Sequence, residues 1–191
     1  MAEAAPRRAT YADLEAVPEH LVAEIVDGVL ETHPRPRPRH VAAASRLSGE
    51  LEPPFGLGRG GPGGWIFMTE PELHLGPHVV APDVAGWRIE RMRTEPETAY
   101  IETPPDWVCE ILSPSTAGLD RGPKRRIYAE AGIPYLWLLD LAGGVLESFT
   151  LTAGQWLLTG TAARGESVAA PPFDAVPFPL DDLFPFASPE A

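Results

Sequence analysis

Short apolar runs separated by turn residues recur along the chain and predict a protein rich in β-strands. The run from Trp107 to Leu112 is apolar except for Glu110, and the run from Tyr135 to Leu139 is apolar throughout. Runs of this length that are bounded by Pro and Ser are typical of strands covered on both faces. A carboxylate in the middle of such a strand is costly to bury unless it meets a cation or a hydrogen-bond network.

A short helix is predicted between these two strands. Pro123 suits its first position, and Gly132 suits its end. One face should pack inward, and it carries at helical spacing Lys124, Ile127, Tyr128 and Ala131. Lys124 is the only lysine in the chain, beside 14 arginines. Either the fold needs a compact ammonium group here, or the lysine stem lies on the core while its head reaches water.

The remaining pattern predicts hairpins, a further helix and polar connections. Asp27-Gly28 lies between two apolar runs and predicts a hairpin turn. A helix is predicted to begin near Arg39 or His40, and an apolar strand is predicted from Val79 to Trp87 with Asp83 inside it. Further strands are predicted at residues 65–69, 73–75, 145–151 and 156–159, the last two as antiparallel edge strands.

Two polar residues in these elements each allow two interpretations. Glu24 precedes the hairpin turn, so that it either faces outward from a strand or belongs to a site. His40 lies in the first turn of its helix, either as a structural or solvent-facing histidine or as a contact to phosphate.

Length and composition narrow the class of protein. A chain of 191 residues favours a single domain, residues 1–191, with a sizeable core. No apolar run approaches the ~20 residues needed to span a bilayer, and the start of the chain lacks a secretory pattern. The one cysteine, Cys109, excludes an internal disulfide framework and a cysteine-rich zinc site. We therefore expect a cytoplasmic protein that does not associate with membranes.

The net charge of −12 argues against non-specific binding to a polyanion, since such binding depends on cation contacts to phosphate. Local clusters of cations can override this total. The sequence contains three of them: Arg35, Arg37 and Arg39; Arg88, Arg91 and Arg93; and Arg121, Lys124, Arg125 and Arg126.

Candidate chemistry rests on three residues. Asp83 and Glu110 lie in separate predicted apolar strands, and Lys124 follows on an inward helix face. Two carboxylates brought together repel each other unless a divalent cation lies between them, and oxygen ligands suit Mg²⁺ or Mn²⁺. A metal ion with a neighbouring ammonium group is the equipment needed to hydrolyse a phosphodiester.

Longer motifs surround these residues. They are Pro82-Asp83, the block from Pro105 to Thr116, Asp120 to Lys124, and Tyr128 to Asp140, with Ala23 to Gly28 and His40 upstream. Over about residues 10 to 185, the chain resembles the bacterial family described as "putative restriction endonuclease", within the PD-(D/E)XK nuclease superfamily.

The resemblance implies an α/β (α+β) fold with a mixed β-sheet flanked by helices and antiparallel edge hairpins. It implies a metal held by Asp83 and Glu110, with Ile111 as a third ligand, and it matches Glu24 to an acidic residue of the first element. Leu112 stands where the superfamily has its lysine, and Lys124 is the displaced counterpart.

The leading hypothesis is a metal-dependent nuclease that hydrolyses DNA with Mg²⁺ or Mn²⁺ through Asp83, Glu110, Lys124 and Glu24. The alternatives are a catalytically inactive module that binds nucleic acid or protein, and an enzyme for another phosphoester. Cutting both strands of DNA needs two sites, so a homodimer is an expectation that no sequence feature demonstrates.

Overall fold

The computed structural model describes residues 7–186. The strands, in chain order, are β1 (Leu21–Val26), β2 (Val29–Pro34), β3 (Trp65–Thr69), β4 (Leu73–Leu75), β5 (His78–Val80), β6 (Val84–Arg88), β7 (Trp107–Leu112), β8 (Tyr135–Asp140), β9 (Val145–Thr152), β10 (Gln155–Ala163), β11 (Ser167–Val168) and β12 (Phe178–Pro179). The α-helices are α1 (Tyr11–Glu15), α2 (Pro38–Leu51), α3 (Ala117–Leu119) and α4 (Arg125–Glu130). A π-helical turn spans Glu52–Gly56, a second spans Asp120–Lys124, and a 3₁₀ turn spans Leu180–Leu183.

The strands form a mixed six-stranded sheet and a smaller antiparallel one. The large sheet has the order β10-β9-β8-β7-β6-β3, and the small one has the order β2-β1-β5-β4. Only β7 and β8 pair in parallel within the large sheet. Parallel neighbours need a crossover connection, and α3, the π-helical turn and α4 supply it. The predicted mixed sheet flanked by helices is therefore confirmed.

Both central strands are covered on both faces, as their apolar runs predict. All six residues of β7 are buried. Alternate side chains enter two hydrophobic clusters, with Cys109 and Ile111 in one and Val108 and Leu112 in the other. The first cluster contains α2 and the C-terminal aromatic residues, and the second contains α4 and the small sheet. Glu110 therefore points to the side of the sheet that α4 covers.

The predicted hairpin at Asp27-Gly28 is confirmed. β1 and β2 pair in antiparallel register from Leu21 with Pro34 to Val26 with Val29. Asp27 has φ 56° and Gly28 has φ 79°. Positive φ at both central residues is the geometry of the type I′ turn, which matches the twist of the flanking strands.

The helix of the crossover begins earlier than the sequence pattern predicts. Its first residue is Ala117 rather than Pro123, and Pro123 lies inside the π-helical turn. A proline in a regular α-helix loses a hydrogen bond and clashes with the carbonyl one turn earlier, and a widened turn relieves this conflict. As a consequence, Asp120 lies in the helical run instead of in the preceding loop.

The predicted strand from Val79 to Trp87 is two strands. β5 belongs to the small sheet and β6 to the large one, and the chain bends between them at Ala81, Pro82 and Asp83. Proline removes a backbone donor and favours such a break in a ladder. The pattern predicted Asp83 inside a strand, and this is wrong. Asp83 lies at the corner where the two sheets meet.

The C-terminal part of the chain differs from its prediction in one detail. β10 is an edge strand, but β9 pairs on both sides, with β8 and β10. Beyond it, Phe173 and Phe178 pack into the cluster under α2. Within residues 7–186, no helix has both the length and the apolar character needed to cross a bilayer.

Candidate active site

Asp83, Glu110, Lys124 and Glu24 line one cleft of about 750 Å³. Glu24 comes from β1, and Asp83 comes from the corner between β5 and β6. Glu110 comes from β7, and Lys124 ends the π-helical turn. The cleft thus lies where the two sheets and the crossover helix meet, and all four residues predicted as catalytic border it.

Lys124 is enclosed by oxygen atoms. Its Nζ lies 2.8 Å from Glu110 Oε1, 3.0 Å from Glu24 Oε1 and 3.5 Å from Asp120 Oδ1, and it donates to the carbonyl of Ala81 at 3.4 Å. The residue is only 2% exposed. Burial would lower the pKa of Lys124, but the negative charges of Glu110 and Glu24 outweigh it and raise that pKa well above its ordinary value. The interpretation of a stem on the core with a solvated head is wrong.

Glu110 is held by two donors. The hydroxyl of Tyr128, one turn beyond Lys124, donates to Glu110 Oε1, the same oxygen that contacts Lys124 Nζ. Burial raises the pKa of the Glu110 carboxyl well above its usual range, although the charge of Lys124 opposes this shift. The cation and the hydroxyl offset the cost of burying a carboxylate within β7.

Asp83 connects β7 to α2. Its Oδ2 accepts the backbone N–H of Ile111 at 2.6 Å, and its Oδ1 lies 2.6 Å from His40 Nε2. Burial lowers the pKa of His40, but the bond to Asp83 and its negative charge raise it above the ordinary value. His40 is therefore neither solvent-facing nor remote from the site, because it orients one of the two candidate metal ligands.

Glu24 is buried and does not face outward. It is 4% exposed, and its Oε1 also accepts the backbone N–H of Ala81 at 2.8 Å. His33, from the partner strand β2, has its Nε2 3.9 Å from Glu24 Oε2 and lines the same cleft. No spacing in the sequence marks His33 as a metal ligand, since its approach to Glu24 depends on the register of the hairpin.

Asp120 is the acidic residue whose position the sequence did not predict. It is 3% exposed and faces Lys124 one helical turn away. Burial raises the pKa of Asp120, and the charge of Lys124 opposes the shift. The spacing of four residues between Asp120 and Lys124 was the available signal, and it required knowing that the helix begins before Pro123.

The charges of the cleft do not balance. Seven carboxylates border it, beside one ammonium group, three guanidinium groups and two imidazoles. Mg²⁺ is usually bound by one or two carboxylates that leave room for waters and substrate phosphate, so the chemistry of Asp83 and Glu110 suits it. Ile111 can contribute only its main-chain carbonyl oxygen to such a site. Among residues 7–186, no three Asp, Glu, His or Cys side chains are grouped as a preformed metal cage.

Comparisons with known proteins show the family and the fold that this chain shares. A family model described as "Uma2: Putative restriction endonuclease" matches residues 8–178. A crystal structure from Anabaena variabilis, described as "a putative nuclease belonging to DUF820", matches with a TM-score of 0.70. The two sequences are 19% identical, and the match covers 92% of this chain and 97% of the Anabaena chain. This match shows a shared fold. A search of curated proteins finds no match.

Proposed function

This chain belongs to the Uma2 family of restriction-endonuclease-like proteins, and from that membership we propose that it is a metal-dependent nuclease that hydrolyses the phosphodiester bonds of DNA. One observation carries the proposal above the others. Three segments distant in sequence supply Glu24, Glu110 and Lys124. The Nζ atom of Lys124 lies 3.0 Å from Glu24 Oε1 and 2.8 Å from Glu110 Oε1, in a cleft that Asp83 also borders. Such a concentration of buried charge costs stability and is typical of functional sites.

In this proposal Asp83 and Glu110 hold a divalent cation, Mg²⁺ or Mn²⁺, with the main-chain carbonyl of Ile111 as a third ligand. The bound cation would polarise a phosphoryl oxygen and lower the pKa of a water molecule. His40 fixes one carboxylate by its 2.6 Å contact with Asp83, and Tyr128 fixes the other through Glu110. Both carboxylates are thereby held in place before substrate arrives, which favours catalysis.

Lys124 supplies positive charge where negative charge develops on the phosphate. Its ammonium group is oriented by Glu24 and Asp120, so it needs little reorganisation during the reaction. This arrangement accounts for the departure from the PD-(D/E)XK pattern. Leu112 occupies the strand position of the usual lysine and packs in the apolar cluster, and the helix provides an ammonium group 2.8 Å from Glu110 instead.

The test is cleavage of single-stranded and double-stranded DNA in Mg²⁺ or Mn²⁺ by the full chain and its variants. We expect Asp83→Ala and Glu110→Ala each to reduce cleavage by at least about 10²-fold, because electrostatic groups at the reacting centre contribute on that scale. The matched control is Asp106→Ala, since Asp106 bonds the backbone of Arg88 and the side chain of Arg91 outside the cleft. Cleavage that persists in both site variants would exclude this site.

A second function is favoured by one specific pair of contacts. Lys124 pairs with both Glu24 and Glu110, so the chain's own ammonium group compensates two buried carboxylates, as a nucleic-acid- or protein-binding module with an inactive site would need for stability. Such a module would show saturable binding without turnover. Titration calorimetry with Mn²⁺ separates the two functions. The nuclease must bind Mn²⁺ and must lose this binding in Asp83→Ala, whereas the binding module does not need to bind Mn²⁺.

A further inference from the structure

Three arginines alternate with prolines where the chain passes from β2 into α2. Arg35 and Arg37 lie in the extended link, and Arg39 lies in the first turn of the helix. All three are exposed and line the cleft that contains Asp83 and Glu110. Arg39 precedes His40, whose imidazole contacts Asp83 at 2.6 Å, so the rim and these carboxylates border the same cleft. We call this segment, Arg35, Arg37 and Arg39, the arginine rim.

The charges of the rim are not neutralised by carboxylates. None of the three guanidinium groups forms an ion pair with a carboxylate in the part of the chain that the structure describes. Of the eleven other arginines, five pair with carboxylates, namely Arg7, Arg91, Arg121, Arg126 and Arg164, and six form no ion pair among the described residues. The rim differs from these six in its density, because three unpaired guanidinium groups lie within five residues at the cleft. In a protein with a net charge of −12, such a local concentration of positive charge is suited to an anionic ligand.

The rim is also held in a defined geometry by neutral partners. Two of the three side-chain nitrogens of Arg35, Nε and Nη2, donate to the carbonyl of Glu19 at 3.1 and 2.7 Å. Arg39 donates to the carbonyl of Leu141 and lies over the ring of Phe184. The alternating prolines restrict the backbone between them. Each guanidinium has five N–H donors, so donors remain for phosphate oxygens in a link that is already ordered.

We propose that the arginine rim binds the sugar-phosphate backbone of a nucleic-acid strand and holds it across the cleft beside Asp83 and Glu110. Arginine suits this role because its planar fork matches phosphate oxygens. The N-terminus of α2, a helix of 14 residues, opens on the same cleft and adds a favourable dipole for phosphate. Phosphate contacts of this kind position a strand without reading its sequence.

The assignment of this strand as a substrate rests on the proposed nuclease function, but strand binding does not. Binding is therefore measured with a chelator present, by fluorescence anisotropy of labelled single-stranded DNA, duplex DNA and single-stranded RNA over a salt series. The slope of log K against log salt is negative. When one phosphate contact is lost, the magnitude of this slope falls by about 0.9 on duplex DNA or about 0.7 on a single strand.

We expect Arg37→Gln to reduce the slope by about that amount and Arg35→Gln with Arg37→Gln to reduce it by about twice as much. Arg37 is the preferred single variant, because it is exposed and its guanidinium makes no hydrogen bond among the described residues. The matched control is Arg46→Gln, which removes the same charge from α2 outside the cleft, where Arg46 donates to the carbonyl of Asp182 at 3.0 Å. The control should keep the wild-type slope.

The rim is overturned if the wild-type chain binds none of the three strands, or if Arg46→Gln lowers the slope as much as Arg37→Gln. A preference among the three strands that depends on Arg35 and Arg37 supports the rim and identifies its ligand. Rim-dependent binding without cleavage in Mg²⁺ or Mn²⁺ would sink the nuclease function and leave the rim standing. If the wild type cleaves DNA and Arg35→Gln and Arg37→Gln leave that cleavage unchanged, the nuclease function stands and the rim is overturned.

Discussion

At the scale of single residues, the site depends on one buried cation. Lys124 is the only lysine of the chain, and it is 2% exposed among Glu24, Glu110 and Asp120. Charges buried in this way are costly, and removing one partner leaves the others uncompensated. The residues around Lys124 should therefore act through it, by setting the position and the charge of its ammonium group.

Asp120→Asn tests this at a residue that does not contact substrate in the proposed mechanism. The substitution keeps the shape of the side chain and removes one negative charge beside Lys124, whose Nζ lies 3.5 Å away. We expect kcat for DNA cleavage to fall about 10- to 100-fold, the usual effect of removing a supporting group, while KM changes little.

The control for that variant is Asp106→Asn, which changes the same residue type outside the cleft. Steady-state kinetics and thermal unfolding of both variants should be measured together. An unchanged kcat in Asp120→Asn would contradict the positioning role, and a parallel loss in both variants would indicate a general effect on the fold.

At the scale of elements, the β1–β2 hairpin carries more of the site than any other short segment. β1 supplies Glu24, β2 supplies His33, and the chain leaving β2 forms the arginine rim. The register of the hairpin decides whether Glu24 points into the cleft, because a shift of one residue would turn its side chain to the opposite face. The turn at Asp27-Gly28 sets that register.

Gly28→Ala should destabilise the protein by about 1–2 kcal/mol, because a residue with a side chain is strained in the left-handed region. Gly28 has φ 79°, and an added Cβ would lie 3.0 Å from Cγ of Arg8. Gly49→Ala in α2 is the opposite case, since nothing lies within 4 Å of its added Cβ.

Gly49→Ala should stabilise the protein by about 0.4–1 kcal/mol, because alanine loses less conformational freedom than glycine on folding. Urea unfolding of both variants measures the difference in free energy. Equal stability of the two variants would mean that the turn does not require its positive φ values.

At the scale of the whole molecule, the total charge does not show how charge is arranged at the cleft. The chain carries −12 overall, yet the arginine rim, which forms no ion pair among the described residues, lies beside an acidic site. The acidic site lowers affinity for a polyanion, and a divalent cation would offset this repulsion. Metal binding, strand binding and stability should therefore be coupled.

Mn²⁺ should raise the thermal midpoint of the wild-type chain, since a ligand that binds only the folded state stabilises it by about 2.7 kcal/mol at 100 times its dissociation constant. Asp83→Ala should abolish the shift because it removes one of the two proposed metal ligands. Differential scanning fluorimetry over a Mn²⁺ series measures it, with Asp106→Ala as the variant that should still respond. A shift that persists in Asp83→Ala would place the metal elsewhere.

Much of this architecture follows from local patterns in the sequence. The strands β3, β4, β7 and β8, the hairpin at Asp27-Gly28 and the inward face of α4 are predicted, because apolar periodicity and turn residues act over a few neighbours. Family membership was predicted too and is confirmed. The expectation of a single domain over residues 1–191 stays a prediction.

Other features were decided by the tertiary structure. The corner at Asp83, the early start of the crossover helix and the burial of Asp120 all arise where separate segments compete for one space. His40 meets Asp83 across 43 residues, and His33 approaches Glu24 only through strand pairing. The sequence by itself determined which residues carry charge and where the central strands β7 and β8 lie. Only the packing of the two sheets around the helix decided which charges meet, because that contact depends on distances between segments that no local pattern records.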